Sequence, residues 1–369
     1  MPHLGIISLG SNQGNRLEYL QQGIQRLIQS VGVLERLSPI YETPALGFEG
    51  ADFLNACASF QTRLSPQDLM QTLLDLELDM GRQRSQTDRY ESRTLDLDLL
   101  FYDEEQVDTT TLVLPHPRLH LRNFVLYPLA DIHPEVFHPE FGKTVAELRQ
   151  ESKDSSSLQK QEYAFWTPPI FEYFQTIVFE GNIGVGKTTL TQKVAEQYQV
   201  PARYEAFQKN PHLSDFYSDP QKHALAVESF FLNDRLEQLQ RFQQKSQPGE
   251  RWVADYGIQK SLIFAQVNLG KSFAKFQNKY QRKTESLSAP KIWVYLQRPV
   301  AELLEHIRNR KRDFEQNIGE EYLLAVEQSY QKFIREQASF KVIEIAAEGI
   351  DYTQDEEAFQ RLLFTIYAH

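Results

Sequence analysis

The sequence predicts two domains that each combine helices and strands but differ in build: an α+β sandwich, then an α/β domain with a parallel sheet. Three observations carry this. The chain has 369 residues, and at roughly 100–200 residues per domain that length makes two or three folded units. A polar, Ser-rich stretch, Arg149 to Gln161 (RQESKDSSSLQKQ), separates two segments that each hold strand and helix patterns. The first segment mixes strands and helices without regular βαβ alternation. In the second, short apolar strands alternate with long helices, as a parallel sheet covered on both faces requires.

The elements follow in order. GIISLGS is a short apolar run ending in Gly and Ser, a strand entering a turn. Leu17, Leu20, Ile24, Leu27, Ile28 and Val31 recur at helical spacing. Pro66 to Met80, after the potential N-cap Ser65, is a second amphipathic helix. RTLDLDLLFY alternates with period 2 and reads as a strand. Beyond the linker, EYAFWTPPIFEYFQ (162–175) reads as an extended lead-in that packs on the second domain. TIVFEG is a strand running into a glycine loop, followed by a helix over Thr188–Tyr198, with RWVAD and KIWVYLQ as further strands. The expected division is therefore 1–150, a linker and lead-in over 151–174, and 175–369.

Composition excludes several classes. With 41% hydrophobic and 24% charged residues, 17 Gly and 17 Pro, the chain is neither collagen-like, disordered nor a disulfide scaffold. Cys57 is the sole cysteine, which points to a reducing compartment. MPHLGIISLG lacks a signal-peptide pattern and no run approaches 18 apolar residues, so a cytoplasmic location and no membrane partner are expected. The formal charge is −11, a poor basis for nucleic-acid binding, which rests on clustered cations. Residues 1–150 hold 12 Lys and Arg against 21 Asp and Glu, and Lys143 is the only lysine among them. Arg presents a planar fork suited to phosphate, so this bias hints at small anionic ligands.

The strongest local signal in the first half is Arg93-Thr94-Leu95-Asp96-Leu97-Asp98-Leu99-Leu100. On a strand, Asp96 and Asp98 share one face and the leucines the other. Two adjacent carboxylates are costly unless a cation lies between them, and hard oxygen ligands favour Mg²⁺. Arg82, Arg84, Arg89 and Arg93 precede the pair in GRQRSQTDRYESR, and cations beside a metal-binding pair suit a polyphosphate. Gly10-Ser11-Asn12, Tyr41-Glu42-Thr43-Pro44-Ala45-Leu46-Gly47, Phe53-Leu54-Asn55-Ala56 and Pro115-His116-Pro117-Arg118 with Arg122-Asn123-Phe124 complete the set.

On these motifs, residues 4–150 resemble 6-hydroxymethyl-7,8-dihydropterin pyrophosphokinase of folate biosynthesis. The resemblance implies a ferredoxin-like sandwich on an antiparallel sheet. It implies that Asp96 and Asp98 hold two Mg²⁺ ions, that Arg82 and Arg93 stabilise the transferring diphosphate, and that Arg84, His116 and Arg122 contact ATP. Phe53 and Phe124 would sandwich the pterin, with Asn55 and the backbone of Thr43, Pro44 and Leu46 bonding it. The reaction implied is attack of the hydroxymethyl oxygen on the β-phosphorus, releasing AMP, by positioning and charge stabilisation. Tyr90 stands where the family usually has Trp, and Pro117 where it often has an aromatic residue.

In the second half, Gly181-Asn182-Ile183-Gly184-Val185-Gly186-Lys187-Thr188-Thr189 fits G-x-x-x-x-G-K-[ST] between a strand and a helix. Gly184 and Gly186 let backbone N–H groups point at a β-phosphate, Lys187 supplies a point charge, and the Thr188 hydroxyl completes the coordination of one Mg²⁺. The loop identifies a nucleotide but not the acceptor. Further motifs are Tyr204-Glu205, Asn210-Pro211-His212-Leu213, Phe216-Tyr217-Ser218-Asp219-Pro220, Asn233-Asp234-Arg235, Ala254-Asp255-Tyr256 and Ile307 to Glu315.

With these, residue 175 onward resembles the deoxynucleoside kinases, especially the bacterial deoxyadenosine/deoxyguanosine branch, which implies a five-stranded parallel sheet. Glu205 would then orient the acceptor 5′-hydroxyl and take its proton. Tyr217 and Glu315 would bind the sugar 3′-hydroxyl. Arg308, Arg310 and Arg312, taken as neighbours on a lid, would clamp ATP phosphates. Asp255 would line the nucleoside pocket. Glu228 falls where related kinases usually carry a base-binding Gln; Gln donates and accepts, whereas ionised Glu only accepts. The implied substrate is a purine deoxynucleoside, deoxyadenosine first, and related kinases pair through helices, which implies a homodimer through this domain. The expected function is thus a bifunctional ATP-dependent transferase. A competing reading makes the C-terminal half a nucleotide-binding regulatory or dimerisation module.

Overall fold

A computed structural model describes residues 2–45, 50–81, 92–245, 249–285, 287, 292–312, 315 and 317–369. Packing divides the chain into one unit of residues 1–169 with 354–369, and a second of residues 170–353.

The first unit opens with β1 (His3–Ser11), α1 (Arg16–Ser30), β2 (Gly32–Leu37), β3 (Tyr41–Thr43), β4 (Phe53–Thr62), α2 (Pro66–Asp79) and β5 (Asp96–Tyr102). Helix α1 starts where the Asn15 side chain accepts from the Glu18 amide, and it buries Leu20, Ile24 and Leu27 along one stripe. Ser65 caps α2 in the same way, with Pro66 preorganising its first turn. The strands pair antiparallel in the order β3-β4-β1-β5, with β2 also on β4. Two short hairpins follow, β6 (Val107–Asp108) with β7 (Val113–Leu114) and β8 (Phe137–His138) with β9 (Lys143–Thr144). Helix α3 (Asn123–Ile132) lies between them, and α4 (Val145–Glu151) comes after, its Thr144 and Glu147 forming a reciprocal capping box.

The Ser-rich stretch is not a free linker. Arg149 to Glu151 end α4, and the Asp154 carboxylate accepts from the amides of Asn123 (2.8 Å) and Ser156 (2.9 Å). The short strand β10 (Gln159–Lys160) then adds to the sheet edge on β3. Nor is 162–175 an extended lead-in to the second unit. Tyr163–Trp166 coil into a 3-10 turn within the first unit, where Trp166 is fully buried and donates from Nε1 to the Ser38 carbonyl at 2.8 Å. Short polar side chains bonding nearby amides, and an indole with an apolar body and one donor, explain the two departures.

The second unit runs α5 (Ile170–Tyr173), β11 (Thr176–Gly181), α6 (Lys187–Tyr198), β12 (Ala202–Arg203), α7 (Leu213–Ser218), α8 (Pro220–Lys245), β13 (Trp252–Ala254), α9 (Lys260–Asn268), α10 (Phe273–Thr284), β14 (Ile292–Gln297), α11 (Val300–Asn309), α12 (Glu320–Glu336) and β15 (Lys341–Ala346). Its five strands are parallel in the order β12-β13-β11-β14-β15. The inner strands read as apolar runs because helices cover both faces: Ile177, Phe179, Val253, Ile292, Trp293 and Val294 are all buried completely. The phosphate-loop sequence falls at the carboxyl end of the central strand β11, where open α/β sheets bind ligands.

The last helix, α13 (Glu356–Tyr367), packs in the first unit. Asp355 caps it, and its apolar face, including Phe359, Leu362, Leu363, Phe364 and Ile366, is buried. Phe364 meets Trp166 edge-on at 5.4 Å. Gln25 and Gln29 of α1 donate to the carbonyls of Tyr367 (2.8 Å) and Ala368 (2.7 Å), and Glu357 accepts from the Leu37 amide at 3.2 Å. These contacts occupy C-terminal carbonyls that a helix leaves unsatisfied. Phe364→Ala is expected to cost the first unit about 3–5 kcal/mol, seen as a lower urea midpoint and faster hydrogen exchange in α1 and β2. Unaltered exchange in those two elements contradicts this account of α13.

Candidate active sites

In the first unit, β5 carries half-buried Asp96 and Asp98 between buried Leu95, Leu97 and Leu99. The register sets Asp96 opposite Gly10, Gly10 opposite Asn55, and Asn55 opposite Tyr41. Gly10 keeps the row open: a Cβ there would lie 3.2 Å from Asn55 Oδ1, 3.6 Å from the Phe53 ring and 3.9 Å from Asp96 Cβ. Phe53, Asn55 and Asp96 therefore share one face of the sheet. Asn55 is buried and donates to Thr43 Oγ1 at 2.9 Å, while Pro44 is exposed beside it.

Cations hold both aspartates. Arg93 Nη1 donates to Asp96 Oδ1 at 2.6 Å. Arg122 Nη1 lies 3.8 Å from Asp98 Oδ2, and His116 Nε2 lies 4.0 Å from Asp98 Oδ1. Burial, with Arg122 and Arg118 near, lowers the His116 pKa to about 4, so its imidazole is neutral at pH 7. The Arg122 guanidinium also lies over the Phe124 ring at 5.5 Å. Asn12 had no assigned role, yet it fastens the arginine's backbone: its Oδ1 accepts from the Arg93 amide at 2.7 Å, and its own amide donates to the Arg93 carbonyl at 3.1 Å. Leu46, Arg82, Arg84, Arg89 and Tyr90 lie outside the described residues. Among the described residues, no three His, Cys, Asp or Glu side chains form a metal cage. The oxygen pair of Asp96 and Asp98 suits Mg²⁺ shared with phosphate, since that ion takes one or two carboxylates plus substrate oxygens.

In the second unit, a cavity of about 800 Å³ is lined by Ile183, Gly184, Val185, Gly186, Lys187, Thr188 and Thr189 and by Glu205, Tyr217, Glu228, Asp255, Arg310, Arg312 and Glu315. Gly184 has φ +89°, and a Cβ on it would meet the Leu303 carbonyl oxygen at 2.8 Å, so the loop requires glycine there. Lys187 Nζ donates back to the carbonyls of Gly181 (2.7 Å) and Asn182 (2.8 Å). Burial and nearby Lys260 lower its pKa to about 7, against the pull of Glu180. Thr188 Oγ1 donates to Asp255 Oδ2 at 2.6 Å, a hydroxyl and carboxylate pair fit for Mg²⁺.

Glu205 is gripped on both oxygens. Lys260 Nζ donates to Oε2 at 2.7 Å, Arg235 Nε donates to Oε1 at 3.0 Å, and Arg235 Nη2 also reaches Oε1. Burial alone would raise its pKa, but Lys260 and Arg235 win and hold the carboxyl well below the usual range. Arg312 Nη1 donates to Glu315 Oε1 at 3.0 Å, and Arg310 Nη1 lies 3.9 Å from Glu315 Oε2. Arg308, the third expected lid arginine, is exposed and does not line the cavity, whereas His306 and Arg310 do. Arg235 appeared only within a motif, and Lys260 and Asn268 gave no sequence signal.

These two arrangements define a class: phosphoryl-transfer enzymes, one built on a carboxylate pair and the other on a glycine loop. Residues 6–134 match the family 7,8-dihydro-6-hydroxymethylpterin-pyrophosphokinase (HPPK), and residues 177–369 match the family deoxynucleoside kinase. A 2-amino-4-hydroxy-6-hydroxymethyldihydropteridine pyrophosphokinase of Synechocystis sp. is 41% identical over 40% of this chain and 74% of its own length. That of Bacillus subtilis is 40% identical over 41% and 89%. A deoxyguanosine kinase of Bacillus subtilis is 30% identical over 50% and 93%. Among solved structures, deoxyadenosine kinase from M. mycoides with bound dATP aligns with 51% of this chain and 98% of its own, at 22% identity and a TM-score of 0.46. The chain belongs to both families, the HPPK family through its first part and the deoxynucleoside kinase family through its second. It is therefore an enzyme with two kinase segments and ATP as co-substrate, and among the described residues no helix is long and apolar enough to cross a membrane.

Removing the Glu205 charge leaves Arg235 and Lys260 without their buried counter-ion. Glu205→Gln is expected to lower stability by about 3–5 kcal/mol at neutral pH, read by thermal denaturation. The folded pKa lies below the unfolded carboxylate's ~4.3, so the carboxylate's contribution is complete above that value and is lost as pH falls through the folded one. The deficit of the variant should therefore shrink in acid; a deficit independent of pH contradicts the assignment.

Proposed function

We propose that the first unit transfers diphosphate from ATP to 6-hydroxymethyl-7,8-dihydropterin, releasing AMP, and that the second transfers a phosphoryl group from ATP to the 5′-hydroxyl of a purine deoxynucleoside, deoxyadenosine favoured. The observation that supports the first is the face shared by Phe53, Asn55 and Asp96 around Gly10. The pterin would stack between Phe53 and Phe124, with Asn55 and the backbone near Thr43 and Pro44 as hydrogen-bond partners. The pterin hydroxymethyl then falls toward Asp96 and Asp98. Arg93, Arg122 and neutral His116 surround the acidic pair and would exchange their hold on carboxylate for phosphate oxygens as charge develops. Mg²⁺ held by Asp96 and Asp98, two ions in all, would neutralise the polyphosphate and polarise the β-phosphorus.

In the second unit the supporting observation is that one cavity joins the glycine loop to Glu205. Backbone N–H groups of Gly184 to Thr188 and the Lys187 ammonium would hold the donor phosphates, with Mg²⁺ on Thr188 and Asp255. Glu205 would accept a hydrogen bond from the 5′-hydroxyl. Pinned by two cations it is a weak base, which suits a reaction that asks chiefly for positioning in a loose transition state. Tyr217 and Glu315 would bind the sugar, and Arg310 and Arg312, beside Glu315, would meet the transferring phosphate. Asp96→Ala is expected to abolish diphosphate transfer to the pterin and leave nucleoside phosphorylation within about twofold, and Lys187→Ala to do the opposite, as followed by AMP and deoxynucleoside monophosphate release. If one substitution silences both activities in a folded protein, the two-site reading is wrong.

A further inference from the structure

The second unit's cavity is also lined by a polar pair that the phosphate chemistry does not use. Glu228 and Asn268 line it together with Phe207, Phe216, Phe231 and Phe264. On α8, Glu228, Phe231 and Arg235 recur at intervals of three and four residues and so share a face. Seven residues of helix put Glu228 about 10 Å along the axis from Arg235, which itself holds Glu205. That span fits a nucleoside whose 5′-hydroxyl lies at Glu205 and whose base edge reaches Glu228.

Glu228 is 2% exposed. Asn268 Nδ2 donates to its Oε1 at 2.7 Å, while its Oε2 has no hydrogen-bond partner among the described residues. A buried polar atom without a partner is expensive, so a ligand that pairs with Oε2 gains that cost back. Asn268 fixes Oε1 as an acceptor and leaves Oε2 to carry any proton. Resting on the deoxynucleoside reading, we propose that Glu228 reads the base edge and that its proton decides which base is admitted: the neutral acid admits adenine, and the carboxylate admits guanine. In the neutral acid, Oε2–H donates to adenine N1 and Oε1 accepts from the exocyclic amine. The carboxylate offers acceptors alone; it faces the adenine N1 lone pair unfavourably but accepts from guanine N1–H and its 2-amino group.

The charged and titratable groups around Glu228 come from several elements. Arg235 on α8 and Lys260 on α9 favour its anion, and Glu205 opposes it. Glu228 bears in turn on Tyr217 of α7 and Tyr322 of α12; both phenols are pushed above their ordinary range and stay neutral, and Tyr322 bonds Asn268. Burial is the largest influence and raises the Glu228 pKa to about 7. Both forms are then populated at neutral pH.

The test is competition between deoxyadenosine and deoxyguanosine for the full-length enzyme with ATP and Mg²⁺, followed from about pH 6 to about pH 8.5. The ratio of their kcat/KM values cancels Lys187 and Glu205, which serve either substrate, and neither base titrates in this range. The deoxyadenosine to deoxyguanosine ratio should fall at least about tenfold as Glu228 ionises. Glu228→Gln, which keeps one donor and one acceptor at every pH, should hold the ratio constant within about twofold. A wild-type ratio that does not change with pH, or a fall that survives in Glu228→Gln, overturns the inference while leaving the nucleoside reading intact. An enzyme that phosphorylates neither base at any pH overturns that reading and the inference with it. The wild-type profile alone decides if the variant does not fold.

Discussion

A charge withdrawn from water must have an opposite charge beside it, and both candidate sites are built on that requirement. In the second unit, Glu205 lies between Arg235 and Lys260, and its main-chain amide donates to Asp255 Oδ1 at 2.8 Å. The four groups come from α8, α9, the end of β13 and the loop after β12, so one charge cluster ties together the elements that surround the cavity. In the first unit Arg93 sits on Asp96, and Arg122 with His116 beside Asp98. Arg93, Arg122, Arg235 and Lys260 thus pair with carboxylates through donors of the kind that bind phosphate oxygens. Cations and carboxylates fixed against one another in this way form a preorganised electrostatic environment.

Backbone geometry supplies the rest. An antiparallel register sets Asp96, Gly10 and Asn55 in one row, so residues from three strands meet without any loop having to place them. A parallel sheet ends its central strand β11 at the glycine loop, and the helix that follows starts with free amides. Each unit thus carries the charges of its candidate site on fixed elements. The same rigidity explains why Asn12 matters: it anchors the main chain of Arg93 from the end of β1.

Much of this was legible in the sequence, for reasons that differ between residues. Period-2 alternation in RTLDLDLL placed the two aspartates together, and the glycine motif falls, as read, between a strand and a helix. The misreadings have physical causes. Arg308 and Arg310 alternate in sequence, yet of these two Arg310 alone lines the cavity. A Ser-rich run read as a linker because its anchors, the Asp154 bonds and the edge strand β10, depend on partners remote in sequence. Trp166 and α13 looked like parts of the second domain by position alone, whereas their apolar faces are buried in the first unit. Arg235 and Lys260 could not have been found, since a cation on a helix signals nothing until the buried carboxylate it neutralises is known.

The central claim is that triphosphate is bound at two separate places in one chain. Isothermal titration of the full-length protein with α,β-methylene ATP and Mg²⁺ tests it directly. The account predicts two equivalents bound per chain, reduced to one by Lys187→Ala with the remaining affinity unchanged. A wild-type stoichiometry of one equivalent would contradict it.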